Sequence, residues 1–535
     1  MRRHRRSGLI LPLVILFCAL AGGVYGPRIA VARAASAVAA DSVDASVGRD
    51  VDEFTRLYAL VEQNAAEKVN PDKAIYDGAI PGMLRTLDPH SNFFDPKAYQ
   101  AILEEQKGSY FGVGMTVQPR NGKTVIVYPF AGSPAYKAGL RPGDVIVSVN
   151  DKSADGLNTT EVADLLKGPR GTQVKIVVTR EGAKDNLLFK VTRDEISRKS
   201  VPEGFWVRPG IAYIKILQFG DNTVKELDEN LKRLGENNIR GLVLDLRGNP
   251  GGLLKAGVGV ADRFLQRGQL IVSHHGRSSP EQTYVARNGN HGHDYPIVVL
   301  VDRNSASAAE IVTGALQDHD RAWVLGETTF GKGLVQTVYP MSDHTALALT
   351  TAHFYTPSGR LIQRDYSKES FYDYYFHRDG NTRNDLDVKM TDSGRRVYGG
   401  GGITPDEKYA TTGMDHLEAD LYRDGLFNFT RFYFSKHSSS SIPQGSMPDD
   451  AINNLHDWLL DNHYSFTEKE FTGDHDWIRR YLAKEMYLYA FNVDESDRMF
   501  AQTDPEVTRA VDAMPQAEAL VETARKVALQ RMSPR

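Results

Sequence analysis

The chain has 535 residues, too many for one compact core and a length suited to about two to four domains. Its 64 basic and 68 acidic side chains leave a net charge of −4. That balance argues against a nucleic-acid partner, which demands a clustered basic surface. The content of 41% hydrophobic and 25% charged residues is ordinary for a soluble globular protein.

At the N-terminus, Arg2, Arg3, Arg5 and Arg6 precede an apolar run over 9–24. Arginines held on the cytoplasmic side of such a run are the order of a secretory signal or a signal anchor. Pro12 and the shortness of the run favour a cleaved signal. The distance to the small-x-small pattern Ala32-Arg33-Ala34 favours a retained membrane anchor. Both readings stay open over 1–35. Either way the chain is expected to be exported, to a periplasm or the outer face of the cytoplasmic membrane. The only cysteine, Cys18, lies inside the run, so the chain beyond it has no disulfide, catalytic thiol or cysteine metal site.

Residues 38–48 are small and polar and read as a linker. From Asp52 the spacing of Phe54, Leu57, Tyr58 and Val61 predicts a helix. A second helix is predicted over 74–87, stopped by Asp88-Pro89. The N-terminal helical region thus occupies 36–107. Over 108–193 the pattern changes to short strands at 124–127, 144–149 and 174–179 around a helix at 160–166, the make-up of a small β-rich module. Continuous apolar runs at 211–216, 241–246, 297–301 and 323–325 then alternate with helical stretches. Strands buried on both faces mark an α/β layered core, spanning 194–406. Residues 365–400 are polar, aromatic and charged, and read as a surface excursion. The segment 407–535 is mostly helical and charged, with a low-complexity break at 438–441.

Three segments carry chemistry. Asn304-Ser305-Ala306-Ser307-Ala308-Ala309-Glu310-Ile311 follows a buried strand and opens a helix. A serine there is either a helix cap or an exposed nucleophile facing helix N–H groups. In Gly326-Glu327-Thr328-Thr329-Phe330-Gly331-Lys332-Gly333-Leu334-Val335-Gln336, a lysine is bracketed by glycines beside apolar side chains. In a solvated loop it would be inert. In a poorly hydrated pocket, desolvation disfavours the ammonium form, and the neutral amine serves as a base. Ser–Lys pairs are one version of the nucleophile-plus-base arrangement, and the Gln336 amide is placed to orient the lysine. In Asp245-Leu246-Arg247-Gly248-Asn249-Pro250-Gly251-Gly252, glycines after a strand free backbone N–H groups for a ligand. Gly251 or Gly252 would form one arm of an oxyanion hole and the Ala308 N–H the other; a tight turn is the plainer reading.

In this order the three segments resemble those of the C-terminal processing peptidases, or tail-specific proteases, of the S41 serine protease family. The resemblance covers roughly 52–406 and takes in Leu87-Asp88-Pro89-His90-Ser91, Tyr355-Thr356-Pro357-Ser358-Gly359-Arg360 and Gly402-Ile403-Thr404-Pro405-Asp406. It implies Ser307 as nucleophile, Lys332 as base, Gln336 at the family's glutamine offset and Glu310 as a structural support of the serine turn. It also implies a multidomain α/β fold: a crotonase-like protease core, an inserted PDZ domain and helical flanks, with no metal or organic cofactor. His353, in the strand after the lysine, reads as a packed residue.

Ser109-Tyr110-Phe111-Gly112-Val113-Gly114, Gly132-Ser133-Pro134-Ala135 and Gly139-Leu140-Arg141-Pro142-Gly143-Asp144 resemble a PDZ domain. Such modules take a peptide as an added strand and hold its carboxylate in a nest of N–H groups, here at Phe111, Gly112 and Val113. The expected partners are unfolded or tail-tagged proteins with a free apolar C-terminus, with an adaptor or activating protein and self-association as further expectations. The competing readings are a catalytically silent PDZ scaffold of the cell envelope and an acyl- or retinoid-binding relative of the same core. Neither needs the Ser–Lys pair.

Overall fold

The computed structural model describes residues 45–367, 370–376, 384–410 and 413–532. The N-terminal apolar segment and its cleavage pattern lie outside them. Among the described residues no helix is long and apolar enough to cross a membrane. The chain divides into two units, Met1–Met83 and Leu84–Arg535. In the first, a helix spans Ala45–Asn64. It starts inside the stretch read as a linker, because Val47 and Val51 extend the helical apolar spacing of Phe54 upstream of Asp52. The second predicted helix is a π-helix, Lys73–Ala79, continued by Ile80–Arg85. Pro81 has no N–H to give and its ring crowds the carbonyl four residues earlier, which a widened turn accommodates.

A six-stranded sheet organises the second unit, in the order Phe205–Arg208, Ile211–Lys215, Gly241–Asp245, Ile297–Val301, Trp323–Gly326 and Glu407–Lys408. Only the first pairing is antiparallel. The helices Thr223–Leu234, Leu254–Asp262 and Ala308–Asp318 lie in the crossovers, so the parallel strands all end on one edge. Every residue of Gly241–Asp245 and Ile297–Val301 is buried. Strand alternation splits them between two cores. Leu242, Leu244 and Val299 join Leu227, Val260 and Ile311 on one face. Val243, Val298 and Leu300 meet Val507, Ala510 and Ala517 on the other. Each such side chain contributes about 1.5–3 kcal/mol on burial, enough to fix which residues turn at the strand ends.

The β-rich module is an insertion whose two ends pair with each other. Ser109–Gly112 runs antiparallel to Asp194–Ser197. Between them a six-stranded sheet and the helix Thr159–Leu166 enclose Ile126, Val149, Val162, Val174 and Ile176. The helix opens on a capping box, with Glu161 N–H donating to Asn158 and Asn158 N–H to Glu161. The Gly-Leu-Arg-Pro-Gly-Asp motif closes on buried Asp144, which accepts from Arg141 N–H (2.9 Å) and two Arg180 nitrogens (2.7 and 2.8 Å).

The C-terminal segment is not one body. Helices from 416 to 500 build a core of their own around Phe429, Trp458, Leu459, Leu482 and Met486. The last two, Pro505–Asp512 and Met514–Met532, cover the second face of the central sheet. Residues 365–400 are not wholly a surface excursion either. Tyr374 is 1% exposed and packs with Phe330 and Ala306, because aromatic side chains at this density gain more by burial than by solvation.

Candidate active site

The strand Ile297–Val301 ends at Asp302, and the helix Ala308–Asp318 begins six residues later. The turn between them contains both candidate serines, and they differ sharply. Ser305 is fully buried and its hydroxyl donates to the Leu246 carbonyl (2.8 Å). It holds the turn to the neighbouring strand. Ser307 is partly exposed and sits at φ 54°, ψ −113°, a conformation that costs an ordinary residue about 1–3 kcal/mol. Strain of this kind at a strand-to-helix turn pushes a side chain out of the backbone's shadow.

Glu310 holds that geometry. It is fully buried, and its two oxygens accept four hydrogen bonds. Oε2 accepts the N–H groups of Ser307 (2.8 Å) and Lys332 (2.9 Å). Oε1 accepts the Thr329 hydroxyl (2.5 Å) and the Gly331 N–H (2.7 Å). One carboxylate therefore joins the serine turn to the lysine loop. Burial raises its pKa, and the four donors oppose that rise. Burial also lowers the pKa of the Lys332 amine, against a pull upward from Glu310 and Asp88. Among the described residues Lys332 forms no ion pair.

Ser307, Lys332, Gln336, Gly251 and Gly252 line one cavity of about 280 Å³, together with Phe219 and Glu105. Gln336 sits at a register shift in the strand Leu334–Pro340, where a bulge re-aims a side chain. Its amide donates to Thr350 Oγ1 (3.2 Å) rather than to the lysine. Gly251 has φ 96°, and a Cβ there would lie 2.7 Å from Ser307 Cβ. Only glycine allows this approach. The Gly251 N–H already donates to Asn249 Oδ1 (2.8 Å). The N–H groups of Gly252 and Ala308 meet no acceptor among the described residues.

Some residues around the lysine loop escaped the sequence reading. His90 lies between two phenols, with Tyr374 OH 3.0 Å from Nε2 and Tyr375 OH 3.1 Å from Nδ1. Burial first, and then the Lys332 charge, push its pKa down to about 3, so the ring is neutral. Gln363 accepts the Gly333 N–H (2.9 Å) and donates to Tyr374 OH (3.2 Å). Arg364 donates its N–H to the Gly331 carbonyl (2.9 Å) and stacks on Phe330 and Tyr374. The available signal was the run of aromatics over 366–376, too apolar for a solvated loop. His353, in the strand Ala346–Tyr355 of a separate five-stranded sheet, stands across from His275 in Leu270–Gly276 and Leu334 in Leu334–Pro340.

A groove of about 370 Å³ runs between the strand Met115–Arg120 and the helix Thr159–Leu166, lined by Val113, Met115, Val117, Ala163 and Leu166. Of the three loop residues singled out in sequence, Val113 lines it. Gly112 is buried beside Tyr110, and Phe111 is 41% exposed beneath Lys107. Alternation along Ser109–Gly112 puts Tyr110, not Phe111, on the groove side. Lys167, which pairs with Glu104 (2.8 Å), and Arg198 add positive charge there.

Residues 210–368 match Peptidase family S41, and residues 125–180 match the PDZ domain family. A carboxy-terminal-processing protease of Bartonella bacilliformis is 38% identical over 296 residues, covering 55% of this chain and 68% of that protein. Carboxy-terminal processing protease CtpB of Bacillus subtilis is 34% identical over 333 residues, covering 62% and 69%. Among solved structures, a photosystem II D1 C-terminal processing protease is 32% identical over 58% of this chain and 83% of its own, with a TM-score of 0.33. Fold and matches together define a multidomain α/β serine-type peptidase with a PDZ module for protein or peptide binding. The chain belongs to peptidase family S41, among the carboxy-terminal-processing proteases. These matches favour the peptidase over the silent scaffold.

Proposed function

We propose that the chain is an exported endopeptidase that captures proteins by a free, apolar C-terminus and cleaves them near that tail through a Ser307–Lys332 pair. The observation that carries the reading is the shared cavity. A strained, partly exposed serine, a desolvated lysine and the unengaged Gly252 line one space, the unengaged Ala308 N–H follows the serine directly in the chain, and a single buried carboxylate ties the serine turn to the lysine loop.

The steps follow from those groups. The neutral Lys332 amine takes the Ser307 hydroxyl proton as Oγ attacks the scissile carbonyl. The Gly252 and Ala308 N–H groups donate to the oxyanion of the tetrahedral intermediate, where fixed dipoles need no reorganisation. The lysine returns the proton to the departing amine, leaving an acyl-Ser307. Water then attacks with the same lysine as base, which releases the new carboxyl end and restores the hydroxyl. Gln336 holds Thr350, whose N–H in turn meets Ser91 (3.1 Å), and so keeps the lysine strand in register with the 88–91 turn. The groove takes the substrate tail as an added strand along Met115–Arg120. The N-terminal arginines and apolar run support action at a periplasmic membrane face or in the periplasm.

The test is cleavage of one unfolded protein bearing a free apolar tail, compared with its amidated form, with cut sites mapped by mass spectrometry. Faster cutting of the free acid, insensitive to chelators, is expected. Inhibition by a chelator that zinc restores, or no cleavage of either form, would overturn the reading.

A further inference from the structure

The exits of the parallel strands wall two cavities, not one. Beside the catalytic cavity lies a chamber of about 800 Å³ whose floor includes Lys215, Gly248 and Asn304 and whose roof includes Tyr422, Lys484 and Phe500 of the C-terminal helices. The two are neighbours along each of three loops. Leu217 faces the chamber while Gln218 and Phe219 face the catalytic cavity. Gly248 faces the chamber and Pro250 the catalytic cavity. Asn304 faces the chamber and Ser307 the catalytic cavity. Ligands of open α/β sheets bind at this edge, outside the carboxyl ends of the strands.

The chamber wall suits a polypeptide. Lys484 lies 4.6 Å over the Phe500 ring and makes no ion pair among the described residues. The Asp497 carboxylate has no hydrogen-bond partner among them. Asp497 is exposed on the wall, within reach of the charges of Lys484 and Lys215. Tyr422, Tyr481 and Phe500 add aromatic faces. On the other flank, Glu105 of the helix Pro96–Lys107 lines both the catalytic cavity and the PDZ groove. The order is therefore groove, catalytic cavity, chamber.

We propose that the chamber roofed by the C-terminal helices binds the substrate residues on the N-terminal side of the scissile bond. The proposal rests on the reading of Ser307 and the groove given above. A chain held by its C-terminus in the groove and cut at Ser307 has only its upstream part left to place. The chamber is the space that the catalytic loops leave for it. It also gives the 416–500 helices a role as the roof of a binding site.

The experiment uses the full chain and peptides that share one scissile sequence and one free apolar tail but are extended stepwise at the N-terminus. In the wild-type protein kcat/KM should rise about tenfold with extension, the gain of one or two good contacts. The native chain has only one cysteine, Cys18. A bulky maleimide on Lys484→Cys therefore fills the chamber specifically, with labelled wild type as control. Labelling should bring the long-to-short ratio of kcat/KM close to one. Should Lys484→Cys fail to fold, Tyr422→Cys, 58% exposed at the same roof, carries the same label. A long-peptide advantage that survives labelling, or no advantage in the wild type, overturns the proposal. Absence of cleavage of both the short and the long peptides by the wild type would overturn the reading of Ser307 instead.

Discussion

The catalytic edge and the PDZ groove are built to opposite rules. At the edge, the lysine loop is pinned on all sides: Glu310 holds the Gly331 and Lys332 amides, Gln363 the Gly333 amide, and Ser305 the Phe330 amide. The groove is bordered by charges that stay in water. Its Lys167–Glu104 pair is 42% and 27% exposed, and such pairs contribute about 0–1 kcal/mol. The difference teaches where tolerance lies. In the function proposed above, proton transfer would demand fixed atoms, whereas tail capture would work through backbone hydrogen bonds and apolar contact that accept many sequences.

The largest break in the comparison should come at the edge. Ser307→Ala is expected to lower kcat by about 10⁴-fold or more, while Ser305→Ala, which removes only a turn contact, leaves measurable turnover. Equal and complete loss in both folded variants would move the nucleophile. Next is Glu310→Ala. It strands several buried donors, at about 1–3 kcal/mol each, so denaturant unfolding should show a loss of roughly 3–5 kcal/mol. A loss under 1 kcal/mol would mean that the serine turn and lysine loop do not depend on this carboxylate.

Much of the edge was legible because its signals are local. Residues 241–244 and 297–301 are continuous apolar runs, the pattern of a doubly buried strand. Glycines at 251, 252, 331 and 333 flag close backbone approach. What brings His90 beside Lys332 is not local. The two are far apart in sequence, and nothing in Asp88-Pro89-His90-Ser91 names Tyr374 as its neighbour. At the groove the side chains follow strand alternation, so Tyr110 and Val113 line the space and the Phe111 side chain faces away; the reading of 111–113 concerns backbone N–H groups, which that alternation does not decide. The helical start at Ala45 was hidden by the small residues that precede Val47.

At the groove the expected effects are smaller. Amidating the peptide tail removes a charge-assisted contact and should weaken binding about tenfold to a hundredfold by titration calorimetry. Lys167→Ala should weaken it less, since that cation is already shared with Glu104. Equal affinity for free and amidated tails would give the groove a role other than end recognition.

The smallest effect concerns acid. The His90 pKa is about 3 in the folded chain against an ordinary 6.5, so the unfolded chain takes up this proton first as pH falls. Its contribution to stability is full above about pH 6.5 and is lost progressively towards pH 3. In His90→Phe, which cannot titrate, thermal melts should show a shallower loss over that window. An unchanged slope would mean that His90 is protonated in the folded protein.

Covalent labelling shows whether a desolvated lysine activates Ser307. A fluorophosphonate reagent should modify the full chain at one site, mapped by mass spectrometry to Ser307. The labelling rate should rise with pH along a limb below the free-lysine value of 10.5, because burial lowers the Lys332 pKa. Lys332→Ala should abolish that limb. Adduct on Ser305, or a labelling rate with the same pH dependence in Lys332→Ala as in the wild type, would contradict the account.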